Sequence, residues 1–284
     1  MTLSYHFNLT GIVVLSLLKE KLIPSCAIRD LYMKNWKGLT VLGFVTGFTG
    51  TSLGIGGGVI MVPALMMLFL YDIKKAVGTS LATIVAGSFV GVVTYYAINS
   101  ANIKFGMAVL IAVGALVGAK QGVILTNRIN SRLLKQVFSV FLLILALRTA
   151  GVLNFQPAVS CDLYGCPFLL MALGFAAGLA SALFGIGGGI LMVPALNMFF
   201  GLSMHEAIAT SLTVVVPTTL AGAVFHSEFD NVDKSAIKVL IPAALAGATL
   251  GAGTASILPA YVLRNIFSVV MILCAVRMFF RKGR

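Results

Sequence analysis

The sequence predicts an all-α polytopic membrane protein made of two inverted repeats. Each repeat holds a short helix pair, read as a re-entrant hairpin, and three transmembrane helices. Composition, an internal duplication and the placement of lysine and arginine carry this expectation. Of the 284 residues, 59% are hydrophobic and only 10% charged, and mean hydropathy is +1.04. A soluble domain carries about 25% charged residues. This chain has too few polar groups to cover a surface facing water, so its solvent is the bilayer.

The duplication is read directly. Gly43-Phe44 recurs as Gly174-Phe175, and Gly54-Ile55-Gly56-Gly57-Gly58 as Gly185-Ile186-Gly187-Gly188-Gly189. Pro63-Ala64-Leu65 recurs as Pro194-Ala195-Leu196, and Thr79-Ser80-Leu81 as Thr210-Ser211-Leu212. All share one offset, 131 residues. Self-similarity of this kind sets the architecture before any single element is assigned.

Residues 1–37 are expected to be a cytoplasmic segment. The apolar run from Leu9 to Leu18 follows no basic region, so it is not a standard signal peptide. The first repeat, 38–153, opens with an apolar stretch at 38–53, the glycine loop and a second short stretch at 59–71. Longer spans follow at 76–98, 105–126 and 133–152. Residues 154–168 form an extracytoplasmic connection holding Cys161 and Cys166, either a disulfide or two thiols. The second repeat, 169–284, has stretches at 169–184 and 190–202, then spans at 207–227, 236–255 and 261–279. A membrane helix needs about 20 residues, so only the last three segments of each repeat qualify. A 13-residue arm is about 20 Å long. It enters a ~30 Å hydrocarbon core without crossing it. Three net crossings per repeat require the second repeat to be inverted.

Charge agrees. With the N-terminus inside, the inner segments hold Lys19, Lys21, Arg29, Lys34, Lys37, Lys74, Lys75, Arg128, Arg132, Lys135, Lys234, Lys238, Arg281, Lys282 and Arg284. The outer ones hold Lys104, Arg148 and Arg264. This is the positive-inside pattern, with both termini cytoplasmic. The net charge of +12 therefore reflects topology, and no nucleic-acid partner is expected.

Candidate chemistry centres on the glycine loops. Non-helical backbone at membrane depth must line a cavity or lie within protein. Consecutive glycines let backbone approach a ligand, and a helix N-terminus offers free N–H groups to an anion. The candidate substrate contacts are Gly56, Gly57, Gly58, Gly187, Gly188 and Gly189. Hydroxyls of Thr79, Ser80, Thr210 and Ser211 are further donors, or else helix caps and interhelical bonds. Asn197 stands where the first repeat has Met66. Lys120 lies within a span, where a cation is a functional candidate or a snorkelling side chain. Gly43/Gly47, Gly174/Gly178, Gly114/Gly118 and Gly247/Gly251 put glycine on one helix face and read as close helix packing. Gly50-Thr51-Ser52-Leu53-Gly54 matches a nucleophile elbow but lacks the strand-turn-helix setting, so no catalytic residue is assigned. Three scattered histidines and no CxxC pair predict no metal site and no cofactor.

The doubled motif, Gly43-Phe44 leading to Gly54 through Pro63 and Gly174-Phe175 leading to Gly185 through Pro194, resembles the sulfite exporter TauE/SafE family. The resemblance covers about residues 38 to 280. It implies a secondary transporter of the plasma membrane for sulfur-containing anions such as sulfite and organosulfonates. The expected function is alternating-access transport of a small anion between the two glycine tips, with no enzymatic activity. An anion channel, or a membrane subunit of an enzyme, is the alternative. The expected partners are the anion and the bilayer, with a homodimer left open.

Overall fold

The computed structural model describes residues 36–98, 103–128 and 167–259, with Val262, Asn265 and Val269 beyond them. Two compact units divide the chain at Lys37/Gly38. Of the first, only Trp36 and Lys37 are described. Everything below concerns the second. The expected spans at 133–152 and 261–279, and the loop with Cys161 and Cys166, lie outside the described residues, save the three isolated positions.

The described residues form eight helices: α1 Trp36–Leu53, α2 Gly58–Leu68, α3 Ile73–Ile98, α4 Phe105–Arg128, α5 Pro167–Phe184, α6 Gly189–Phe199, α7 Met204–Glu228 and α8 Lys234–Ile257. No strand occurs among them. Five stretches are long and apolar enough to cross a membrane: α3, α4, α5, α7 and Lys234–Ala255 of α8. Helix α5 corrects the expectation that 169–184 is too short an arm to cross, because Pro167 and Phe168 extend it to 18 residues. Helices α2 and α6, 11 residues each, are about 16 Å long and fall short of the ~30 Å core.

Polar residues set several helix ends. Ser203 and Glu206 form a capping box at α7, with Glu206 N donating to Ser203 Oγ at 3.3 Å and Ser203 N to Glu206 Oε2 at 2.9 Å. Asp233 Oδ1 accepts from Ser235 N at 2.9 Å and Ala236 N at 3.2 Å, starting α8. Pro63 and Pro194 are the sixth residues of α2 and α6. Each stands in the second turn and omits one intrahelical N–H.

The glycine faces do what their spacing predicts, and they do it between halves. Gly43 and Gly47 of α1 lie against the backbone of Leu240 and Ala244 of α8, and Gly247 and Gly251 return against Phe44 and Phe48. In the matching pair, Gly174 and Gly178 of α5 meet Ile111 and Ala115 of α4, while Gly114 and Gly118 meet Met171 and Phe175. The first helix of each half thus packs on a long helix of the other. Helix α3 also packs on α7 and α8, and α7 on α4 and α6. The outer face of α4 shows Val109, Val113, Leu116 and Val117, an apolar surface suited to lipid.

Candidate substrate site at the paired glycine loops

Each glycine loop joins the end of one helix to the start of a short one: α1 to α2, and α5 to α6. Gly57 and Gly188 precede α2 and α6 with φ of 83° and 78°, values that L side chains rarely adopt. The loops touch each other. A Cβ on Gly58 would overlap the Gly185 carbonyl oxygen and lie 2.6 Å from Ile186 Cα. A Cβ on Gly189 would overlap the Gly54 oxygen and lie 2.8 Å from Ile55 Cα. Only hydrogen at both positions permits this backbone-to-backbone approach.

Two serines lock the contact. Ser80 Oγ donates to Gly185 O at 2.8 Å, and Ser211 Oγ donates to Gly54 O at 2.9 Å. Each serine thus bonds the loop of the other half. The adjacent threonines act as acceptors: Asp233 N donates to Thr79 Oγ1 at 2.9 Å, and Lys104 N to Thr210 Oγ1 at 3.1 Å. They hold the chain entering α8 and α4, away from the loops. Above the loops, Ile84 Cγ2 lies 2.8 Å from the Cβ position of Gly56 and 3.4 Å from that of Gly187. Val215 Cγ1 lies 3.3 and 3.2 Å from the same two positions.

Of the residues singled out in the sequence, the glycine triplets, Ser80 and Ser211 come together. Asn197 does not join them: it is exposed and donates to Leu202 O at 2.7 Å, closing the turn after α6. Lys120 is exposed on the outer side of α4. Ser52, the elbow serine, donates within 2.7 Å of Phe48 O and 3.0 Å of Gly251 O. Its hydroxyl therefore bridges α1 to α8.

Three buried polar atoms without a partner among the described residues were not singled out: Ser88 Oγ, Tyr95 OH and Ser181 Oγ. Other helical hydroxyls, such as Thr46, Thr83, Thr126 and Thr219, bond a carbonyl four residues back. A search for matched pairs passes over Ser88 and Ser181, because their repeat counterparts are Thr219 and Gly50. Mismatch at an otherwise matched position is the signal that finds them.

Among the described residues no group of three or more His, Cys, Asp or Glu could hold a metal. Asp72, Glu206, Glu228, Asp230 and Asp233 all lie at or near helix ends. One such end has the Lys104–Glu206 ion pair at 2.8 Å, the other the bond from Tyr71 OH to Asp233 Oδ2 at 2.8 Å. Among the described residues the loop region has backbone N–H groups and no carboxylate, a combination that suits an anion.

The family model described as sulfite exporter TauE/SafE matches residues 1–149 and 170–284. The match includes the first 37 residues, which the motif resemblance did not reach. A probable membrane transporter protein of Bacillus subtilis, YunE, is 28% identical over 258 residues, covering 83% of this chain and 94% of its own. A probable membrane transporter protein of Methanocaldococcus jannaschii is 32% identical over 194 residues, covering 66% and 71%. Another from Bacillus subtilis, YdhB, is 29% identical over 230 residues, covering 79% and 91%. No solved structure matches the chain.

Proposed function

We infer the function from one premise, that this chain belongs to the sulfite exporter TauE/SafE family of membrane transporters: it is a secondary transporter that moves a small sulfur oxyanion or organosulfonate across the plasma membrane. The observation that carries this reading is the contact of two glycine loops inside a multi-pass helical unit, each tied by a serine of the opposite half. Backbone of that kind at membrane depth lines a substrate position in transporters built from repeats. The anion rests at the touching loops that carry the triplets Gly56–Gly58 and Gly187–Gly189. Its charge is met by N–H groups and the positive ends of α2 and α6.

Alternating access follows from inverted halves. That arrangement is supported by Gly78, in the second turn of α3, lying against His226 and Asn231 at the end of α7, the repeat mate of α3. The same end has Lys74, Lys75, Lys234 and Lys238 in its neighbouring sequence, while Lys104 belongs to the other. The lysine-rich end is read as cytoplasmic, with both chain termini on that side.

Purified protein in liposomes is expected to exchange labelled sulfite or a small sulfonate down its gradient and to show counterflow. Flux without counterflow, at rates beyond a carrier's, would replace the transporter with a channel. Absence of flux for every sulfur oxyanion and sulfonate would overturn the substrate class.

A further inference from the structure

The two loops share a backbone path but not a hydrogen-bond state. In the first, Ile55 N and Gly56 N both donate to Gly50 O, at 3.0 and 3.2 Å. Their counterparts in the second, Ile186 N and Gly187 N, make no such bond to Ser181 O, which accepts instead from Gly185 N at 2.8 Å. The first loop has spent its amides on its own helix, and the second has not.

The residue at the turning point differs as well. A Cβ on Gly50 would lie 2.5 Å from Gly57 N, so the direction of that missing Cβ is into the loop. Ser181 occupies the same position in the second half. It follows Ala177, whose carbonyl oxygen lies 2.8 Å from the Cβ position of Gly188, by one helical turn on the same face. Its hydroxyl is fully buried and without a partner among the described residues.

Ser88 is the second unspent hydroxyl. It lies one turn beyond Ile84, which touches both loops, and one turn before Gly91, whose Cβ position is 2.8 Å from Thr51 Cγ2 at the end of α1. Its counterpart Thr219 uses its hydroxyl on Val215 O at 2.7 Å and sets its methyl 3.4 Å from the Cβ position of Gly187. Leaving a buried hydroxyl unpaired costs about 1–3 kcal/mol. One such hydroxyl at the loop with unspent amides, and a second one turn from the Ile84 that touches both loops, call for a ligand that accepts hydrogen bonds.

We propose that the anion is seated asymmetrically, on the second glycine loop, with the N–H groups of Ile186 and Gly187 and the hydroxyls of Ser181 and Ser88 donating to its oxygens. The ligand class is an oxyanion with at least two oxygens on one centre, as in a sulfite or sulfonate. The serines Ser80 and Ser211, bonded to loop carbonyls, hold the loops together and leave the ligand alone. The inference deepens the transport reading above and rests on it.

The test uses the full chain in liposomes, with labelled sulfite and methanesulfonate as probes, and compares Ser181→Ala and Ser88→Ala with Ser80→Ala. The expected result is a KM raised about tenfold in each of the first two, with the thermal midpoint in detergent unchanged or higher. Sulfite should no longer raise that midpoint. Ser80→Ala should lower the midpoint and leave KM within twofold. Ser181→Thr, which keeps the hydroxyl, should restore part of the affinity. Flux through the unaltered protein together with unchanged KM in both Ser181→Ala and Ser88→Ala overturns this inference alone. No flux of either probe through the unaltered protein overturns the transport reading and takes this inference with it.

Discussion

Helices α1 and α8 on one side, and α5 and α4 on the other, make the same contact with different chemistry. In both, glycines spaced four apart bring one helix backbone against the other. In the first pair the bridging hydroxyls come from the loop-bearing helix: Thr51 Oγ1 donates to Ala248 O at 3.0 Å and Ser52 Oγ to Gly251 O at 3.0 Å. In the second pair that helix carries Ala182 and Leu183, and the hydroxyl comes from the partner, Thr126 Oγ1 to Ala182 O at 3.3 Å. The lesson is that backbone approach is the fixed part of the design. Which side supplies the polar bridge is free to change, since a hydroxyl on either helix can bond a carbonyl of the other.

The largest effect should come from the loop contact itself. Gly58→Ala and Gly189→Ala each drive a Cβ into a carbonyl of the opposite loop, and both should cost about 4 kcal/mol or more, a large share of the stability of a typical domain. Membrane yield and detergent melting should collapse alike in both, while Gly253→Ala, whose Cβ meets nothing within 4 Å, should behave as the unaltered protein. A large difference between the two glycines would mean that the halves are not energetically equivalent.

The next effect is smaller. Ser80→Ala and Ser211→Ala each strand a buried carbonyl, at a cost of about 1–3 kcal/mol. Melting should fall equally in the two, within about 0.5 kcal/mol, and the double variant should lose more than the sum if the loops act as one unit. The smallest effect is a gain in stability. Leu70 has φ of 55°, where its counterpart Gly201 has φ of 64°. Leu70→Gly should therefore stabilise the first half by about 1 kcal/mol, the strain of a left-handed non-glycine residue, read as a raised melting temperature.

Much of the fold was legible because apolar runs of measured length are the dominant signal in a membrane chain. The expected 105–126 became Phe105–Arg128, and 169–184 became Pro167–Phe184. Boundaries moved where polar residues start helices outside the apolar stretch. Helix α7 begins at Met204 because Ser203 and Glu206 cap it, and α8 at Lys234 because Asp233 does. Helix α2 ends at Leu68, short of the expected 71, as Tyr71 N turns back to Leu65 O at 3.1 Å through the left-handed Leu70. The glycine loops were legible as a repeat. Their partners were not: the sequence cannot say that Ser80 reaches residue 185 instead of its own loop, because that choice is made by tertiary packing. Ser88 and Ser181 stayed hidden for a related reason. The repeat marks them only as mismatches with Thr219 and Gly50, and that their hydroxyls lack a partner among the described residues is decided by packing.

The exchange of first helices has a consequence for how the chain assembles. Helix α1 finds its glycine partner in α8, nearly two hundred residues later, and the carbonyl of Gly54 waits for Ser211. During synthesis the first half enters the membrane with its closest contact surface unmatched. Two copies of one half, meeting in the bilayer, would offer each other the surfaces that α5 and α4, or α1 and α8, now share. In this single chain the partner half is covalently guaranteed instead of found by diffusion.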